Sequence, residues 1–495
     1  MNIVRKHLLS LMAVLLAAPT GTSFAQQCDP IETHKLLADD GRAYDNFGHS
    51  VAISGTTTIV GCPWHDDRGE MSGSAYLFDI TTGQQIKELL VNDGRASDSF
   101  GYSVAISADV AIVGASLDDE IGSAYIYRRT GSAWELEEKI TASDRAYEDL
   151  FGTSVAVDGN VAVVGAGGIA KLAAYVYRWN GSSWQEEQKL IPSGAGNGFG
   201  QTVAIDQNCI LVGSQYASQN QGNAYFFRWD ANRSEWIEEQ IVTASDGEPN
   251  DLFGTSVSLD GDEAIIGAYW DNALQGSAYI FRWDGNTWNE VQKLTASDGE
   301  DHDRFGFSVD LSGATAVVGA FTDRADGSAY LFRRSGDVWM EDSKLIASDG
   351  AADDYFGYSV SISLDRAVLG AIWDDDNGID SGSSYIFDLN CGPTLSTLGS
   401  CPGNMRFKVE NATANQKVAY LYASNTGSIQ IPPGNPCAGT ILGLNATVKL
   451  AEIIHADANG TAKLDIKTPQ KACNRIYLQA LDLTTCTTSN TILIQ

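Results

Sequence analysis

Four kinds of strand-length run follow one another along most of the chain. In the stretch beginning at residue 100 they read FGYSVAIS from Phe100, VAIVGA from Val110, GSAYIYRR from Gly122 and AWELEEKI from Ala133. Each is rich in Val, Ile, Tyr or Trp and bounded by Gly, Asp, Asn or Ser, the signature of short β-strands joined by tight turns. The second and third runs are apolar or small at nearly every position, as in Ala264-Ile265-Ile266-Gly267-Ala268 and Ala278-Tyr279-Ile280-Phe281, so both faces of those strands expect cover. The fourth alternates in the form WxExxKL (Trp184, Glu186, Lys189; Trp288, Glu290, Lys293; Trp339, Glu341, Lys344), which suits a strand near a solvated rim with its Trp packed inward. A Phe-Gly pair opens the pattern at Phe47, Phe100, Phe151, Phe199, Phe253, Phe305 and Phe356, at intervals of 53, 51, 48, 54, 52 and 51 residues. Seven units of four antiparallel strands predict an all-β fold, a seven-bladed β-propeller.

The ends of the array complement each other. The seventh unit stops at Ser384-Tyr385-Ile386-Phe387 without a fourth strand, while residues 31–37 read as a fourth strand without a blade. Placing that segment on the open edge of blade seven closes the ring and removes an exposed sheet edge. Ahead of it, Arg5, Lys6 and His7 precede a short apolar run and Ser23-Phe24-Ala25, the pattern of a signal peptide cleaved after Ala25. Domain expectations follow: residues 1–25 signal peptide, 26–392 propeller, 393–403 linker, and 404–495 a small β-sandwich-like domain. Apolar segments at 405–409, 418–422, 446–454, 462–466 and 476–481, with Gly, Pro and Asn between them, carry the last of these.

The ordered recurrence of FGxSVAI, VVGA and GSAYIF resembles the FG-GAP repeat family, which includes the propeller of integrin alpha subunits and many bacterial secreted proteins. The resemblance spans roughly residues 31–390 and implies extracellular recognition, adhesion or surface scaffolding, often with calcium. One departure is plain. The calcium loop of the DxDxDG kind that integrin repeats carry between their first two strands is here a tight turn, such as Ser107-Ala108-Asp109 or Asp158-Gly159-Asn160, so calcium sites of that type are not expected.

Charge adds to the picture. The chain has 63 acidic and 32 basic residues, a formal charge of -31, which repels a nucleic-acid backbone. From residue 391 onward there are eight basic and five acidic residues, so the excess lies in the repeats. Much of it falls in two sets of loops that share a face. Before each Phe-Gly, DGxxxDxFG supplies Asp40 and Asp45, Asp93 and Asp98, Asp144 and Asp149, Asp246 and Asp251, Asp298 and Asp303, and Asp349 and Asp354, with Ser193 and Asn197 in unit four. These side chains are suited to capping backbone amides in Asx-turns. Between the second and third strands lie Asp66 and Asp67, Asp118 and Asp119, Asp271, Asp323 and Asp326, and Asp374 to Asp376. The two sets predict one strongly negative face. Within it, Asp374, Asp376 and Asp380 alternate around a glycine turn like the first part of a calcium loop, the candidate metal site, without the distal glutamate of an EF-hand.

Cysteine placement fits export. Cys28 and Cys391 flank the ring closure and are expected to pair, and Cys401, Cys437, Cys473 and Cys486 in the tail allow three pairings, Cys401 with Cys437 and Cys473 with Cys486 being preferred. Cys62 and Cys209 occupy strand positions and read as buried free thiols. No HExxH, GxSxG or Walker A motif is present; His49, His65, Asp66, Asp67 and Tyr44 gather in unit one and His302 precedes Phe305, but none stands beside an obvious nucleophile. The expected function is a secreted, extracellular or periplasmic, binding or scaffold protein. Its expected partner is an extracellular protein or glycan, with no required cofactor, calcium as the candidate ion, no nucleic acid and no membrane span. A polysaccharide-acting enzyme or a calcium-dependent structural protein is the alternative.

Overall fold

The computed structural model describes residues 30–389 apart from 92, 169–171 and 195. In the tail it describes 394–398, 403–410, 416–423, 426–430, 441–444, 449–457, 461–468, 477–483 and 492–493. The signal-peptide region and Cys28, Cys391, Cys401, Cys437, Cys473 and Cys486 lie outside the described residues.

Seven four-stranded antiparallel sheets form the repeat region, and in six of them strand order follows the chain. Blade two is typical: Phe100–Ser107 innermost, then Val110–Ala115, Ser123–Thr130 and Ala133–Ile140. Blade seven contributes Phe356–Ser363, Arg366–Ala371 and Ser383–Asp388, and its outer edge is completed by Ile31–Leu36, with Glu32 opposite Phe387 and Lys35 opposite Tyr385. The closure expected from the complementary ends is therefore the closure observed. The second strands are buried throughout in blades one to six, as in Val110–Ala115, and in blade seven from Ala367 on, because neighbouring blades cover both faces. Each fourth-strand Trp, including Trp134, Trp184, Trp236, Trp288 and Trp339, is buried, so these rings pack.

The inner strand departs from the expected FGxSVAIS run in blades one, five and six, where the ladder begins at Ser50, Val257 and Ser308. The Phe-Gly step itself is shared: its glycine takes φ between 85° and 93° in all seven blades, and Phe47, Phe100, Phe151, Phe253, Phe305 and Phe356 each bridge a glycine of the preceding blade. Adjacent blades are also stitched at the axis. In blades two to seven the Ser or Thr hydroxyl after FGx donates to the next blade's FG carbonyl, as Ser103 to Gly152 at 2.8 Å, Thr202 to Gly254 at 3.0 Å, and Ser359 to Gly48 at 2.7 Å across the closure, while Ser50 Oγ of blade one accepts from the Val104 amide at 3.1 Å. The glycine of VVGA admits that carbonyl, since a Cβ on Gly114 would sit far inside contact distance of the Gly152 oxygen.

The tail holds a three-stranded sheet built on Gly403–Glu410 and a four-stranded sheet built on Lys417–Ala423. Phe407, Val409 and Leu464 from the first pack with Val418, Tyr420, Leu478 and Ala480 from the second, which is a small sandwich core. The expected linker 393–403 is corrected here: Thr394–Leu398 is a strand paired with Gly403–Glu410.

Candidate functional site

The two aspartates of DGxxxD have different roles. The second is buried and caps its own loop: Asp98 Oδ2 accepts from the Arg95 amide at 2.6 Å and Asp354 Oδ2 from Ala351 at 2.6 Å. Residues on both sides of it adopt left-handed backbone, as at Ser97 and Ser99 or Asp353 and Tyr355. This strained turn is held by docking on the preceding blade, where the amides of Ser97, Ser99 and Phe100 bond the carbonyls of Glu70, Met71 and Ser72.

The Asx-turn expectation needs correction for the first aspartate. It joins a cage with the fourth-strand Lys, the third-strand Tyr and the first loop Asp after strand two. In blade six Lys344 Nζ lies 2.8 Å from Asp298 and 2.5 Å from Asp323, while Tyr330 Oη donates to the same carboxylates at 2.8 and 3.0 Å. Blades two and five repeat it with Lys139, Asp93, Asp118 and Tyr125, and with Lys293, Asp246, Asp271 and Tyr279. Desolvation opposes charge in each cage. The ion pairs outweigh it, holding Lys139, Lys293 and Lys344 above and Asp93, Asp246 and Asp298 below their ordinary pKa values. Much of the expected negative face is thus neutralised from within.

The candidate calcium residues belong to the blade-seven cage. Lys35 Nζ, from the closing strand, lies 2.9 Å from Asp349, 2.8 Å from Asp374 and 2.7 Å from Asp376. An ammonium therefore stands between the first two candidates. Asp380 is engaged elsewhere. Its carbonyl accepts from the Asn46 amide at 3.3 Å, and its own amide donates to Asp375. Those bonds use its backbone groups; among the described residues the three carboxylates do not bring one oxygen each within 4.8 Å of one another.

Three blades depart from the cage. Blade three keeps Lys189 and Tyr175 on Asp144 but has Ile169 at the loop position in its sequence. Blade four has Ile241 opposite Tyr225 and Ser193 in the first loop position. Blade one has Glu88 opposite Tyr76, and His65 where other blades carry the loop Asp. The equivalence rests on the backbone, since the carbonyls of His65, Asp118 and Asp323 accept from Gly73, Gly122 and Gly327 at 2.8 Å. The expected grouping in unit one is partly realised: His65 and Asp67 meet at 3.0 Å, whereas His49 turns to the axis, where its Nδ1 donates to the Tyr102 carbonyl at 3.0 Å. Tyr44 is exposed.

The axis itself holds a cavity of about 720 Å³. Its upper wall is the residue after each Phe-Gly: His49, Tyr102, Thr153, Gln201, Thr255, Phe307 and Tyr358, joined by Gln215, Tyr216 and Tyr269. Rings occupy one arc, with Phe307 4.9 Å from Tyr358, His49 5.5 Å from Tyr358 and 4.7 Å from Tyr102, and Tyr269 5.3 Å from Phe307. Amides and hydroxyls occupy the other, where Thr255 Oγ1 donates to Gln215 Oε1 at 2.6 Å. Its described lining has no Asp, Glu, Lys or Arg. Desolvation pushes His49 down to about 4, outweighing its bond to the Tyr102 carbonyl, so the funnel is uncharged at neutral pH. Sequence reasoning missed this wall, although the seven FGx triplets display it.

The FG-GAP repeat matches this chain seven times, over residues 31–78, 84–127, 134–177, 184–227, 236–281, 288–332 and 339–387. The chain belongs to the FG-GAP repeat family. Its FG-GAP propeller fold suggests a binding or scaffold role. Among solved structures it is similar to Saccharomyces cerevisiae Sqt1 (10% identity, TM-score 0.43, covering 89% of this chain and 100% of that one). It is also similar to a Lactobacillus plantarum protein (12% identity, TM-score 0.44, covering 83% and 99%). No curated protein matches it. Among the described residues of this FG-GAP chain, no helix is long and apolar enough to cross a membrane.

Proposed function

We propose that this FG-GAP protein is an exported binding module whose axial funnel takes an uncharged segment of an extracellular glycan. The observation that carries the reading is the funnel's division into a ring-lined arc and an amide- and hydroxyl-lined arc, with no charged side chain in its described lining. Aromatic faces offer flat apolar area to the C–H faces of a sugar, and Gln and Thr offer both donors and acceptors to its hydroxyls. Charged ligands would lose hydration in this wall without gaining a counter-charge. Export is supported by the N-terminal sequence pattern and by the acidic, lysine-caged rim that keeps such a protein soluble.

Affinity electrophoresis through gels containing neutral glucans, galactans or mannans tests the reading, with reducing ends assayed in parallel. The expected result is retardation by at least one neutral polymer without release of product. Release of sugar would favour the enzyme reading; retardation only by polyanions or polycations, or by none, would overturn the proposal.

A further inference from the structure

Blade one builds the rim cage from exchanged charges. Where blades two, five and six place a Lys ammonium, it places Glu88, and where they place an Asp carboxylate, it places His65. The Lys ammonium is replaced by a carboxylate, and one Asp carboxylate by an imidazole. Tyr76 still donates to Asp40 at 3.0 Å, and Glu88 accepts from Ser74 at 3.0 Å.

His65 is fully buried. Its Nδ1 lies 2.9 Å from Asp45 Oδ2, an acceptor already holding the Arg42 amide at 2.6 Å, so Nδ1 carries a proton and donates. That leaves Nε2 facing the cage. It is buried and makes no hydrogen bond of good geometry, although Asp67 Oδ1 is 3.0 Å away and Asp40 Oδ2 3.5 Å. One ligand atom each from Asp40, His65, Asp67 and Glu88 lies within 4.8 Å of all the others. A carboxylate behind an imidazole whose far nitrogen faces three more carboxylates is the arrangement that orients a metal-binding histidine.

We propose that Asp40, His65 Nε2, Asp67 and Glu88 bind one divalent transition-metal ion of the zinc or manganese class, with Asp45 as the outer carboxylate that fixes the imidazole. The mixed donor set decides the class: the imidazole suits zinc, the three carboxylates suit manganese as well, and calcium and magnesium favour oxygen alone. Modest inward movement of the side chains reaches the bond lengths of about 2.0–2.2 Å that such ions need. Cys62 is near but stays outside the ligand set. Its thiol donates to the Asp45 carbonyl at 3.2 Å, and burial holds its pKa well above the ordinary value. The ion competes with a proton: burial alone would lower the pKa of His65, but Asp45, Asp67 and Asp40 raise it to about 9 when no metal is bound. The site does not depend on the glycan reading, since it sits at the rim of one blade and not on the axis.

Calorimetric titration of the chelator-treated full chain with zinc chloride and with manganese chloride tests the site. Two variants accompany it: His65→Asp with Glu88→Lys, which rebuilds the cage of blade six, and Asp45→Asn. One saturable site per chain is expected for zinc or manganese, unaffected by a hundredfold excess of calcium. The double variant should bind at least about 100-fold more weakly while its melting temperature does not fall, and Asp45→Asn roughly 10–100-fold more weakly. Glu88→Gln, nearly isosteric, replaces the double variant should that chain fail to fold, with the same loss expected. No saturable site, undiminished binding in the cage variant, or a site that calcium fills as readily as zinc would overturn the proposal.

Discussion

The rim cages and the axial funnel are made from adjacent parts of the same units, yet they obey opposite rules. In the cages, blades two, five and six use the same Lys, Tyr and paired Asp, with one ammonium shared by two carboxylates. In the funnel the corresponding positions read His49, Tyr102, Thr153, Gln201, Thr255, Phe307 and Tyr358, with little repetition and no charge. Agreement among these copies marks a device that stabilises the scaffold. Disagreement on a shared scaffold marks what the assembled ring presents to something else.

The sharpest way to break this contrast is to damage a repeated position and look for lost binding. Trp339 is buried in its blade, and Trp339→Ala should lower unfolding free energy by about 4 kcal/mol in urea titrations while the folded fraction still binds. Gly114→Ala should follow at about 3 kcal/mol, because the new Cβ collides with a backbone carbonyl that cannot yield. Lys344→Met should cost about 2 kcal/mol. It leaves Asp323, only 5% exposed, with hydroxyl donors alone, and the partly exposed Asp298 limits the loss. In blade four the same chemistry should be nearly silent: Ile241→Lys is expected within about 0.5 kcal/mol of the parent, since Ser193 and Ala217 provide no carboxylate.

The smallest effect is a pH dependence. His49 has its folded pKa lowered to about 4 from an ordinary 6.5, so its neutral form is favoured in the folded state. The stability it contributes is complete above about 6.5 and is lost as pH falls towards 4. His49→Gln should flatten that part of the melting-temperature profile, and glycan retention should not change between pH 6 and about 8 because the funnel stays uncharged. A steep change in retention over that range would place a titrating group at the ligand.

Much of the architecture was legible in the sequence because each unit repeats its own local rules. The period of the Phe-Gly pairs, the doubly apolar second strand and the spare strand at residues 31–37 led to the ring and its closure. The division of labour within DGxxxD was not legible. Asp298 and Asp303 look alike in the chain, and only the register that brings Lys344 back across 46 residues separates them. For the same reason the candidate site at Asp374, Asp376 and Asp380 looked like a vacant loop, its counter-charge lying 339 residues away at Lys35. The exchange of Glu88 and His65 was visible in principle. Aligning the units on Lys139, Lys189, Ile241, Lys293 and Lys344 exposes Glu88, but its meaning required the loop to be placed beside it.

The central claim is that variation at the axis, not the charged rim, recognises the partner. Its most direct test is affinity electrophoresis of Gln201→Ala against the parent in the neutral polysaccharide that retards the parent most, with melting temperatures measured on the same samples. The account predicts at least a tenfold loss of apparent affinity with a stability change within about 0.5 kcal/mol, as for a substitution outside the core. Unchanged retardation by Gln201→Ala, with loss instead in Lys344→Met at equal folded fraction, would contradict it and move recognition to the rim.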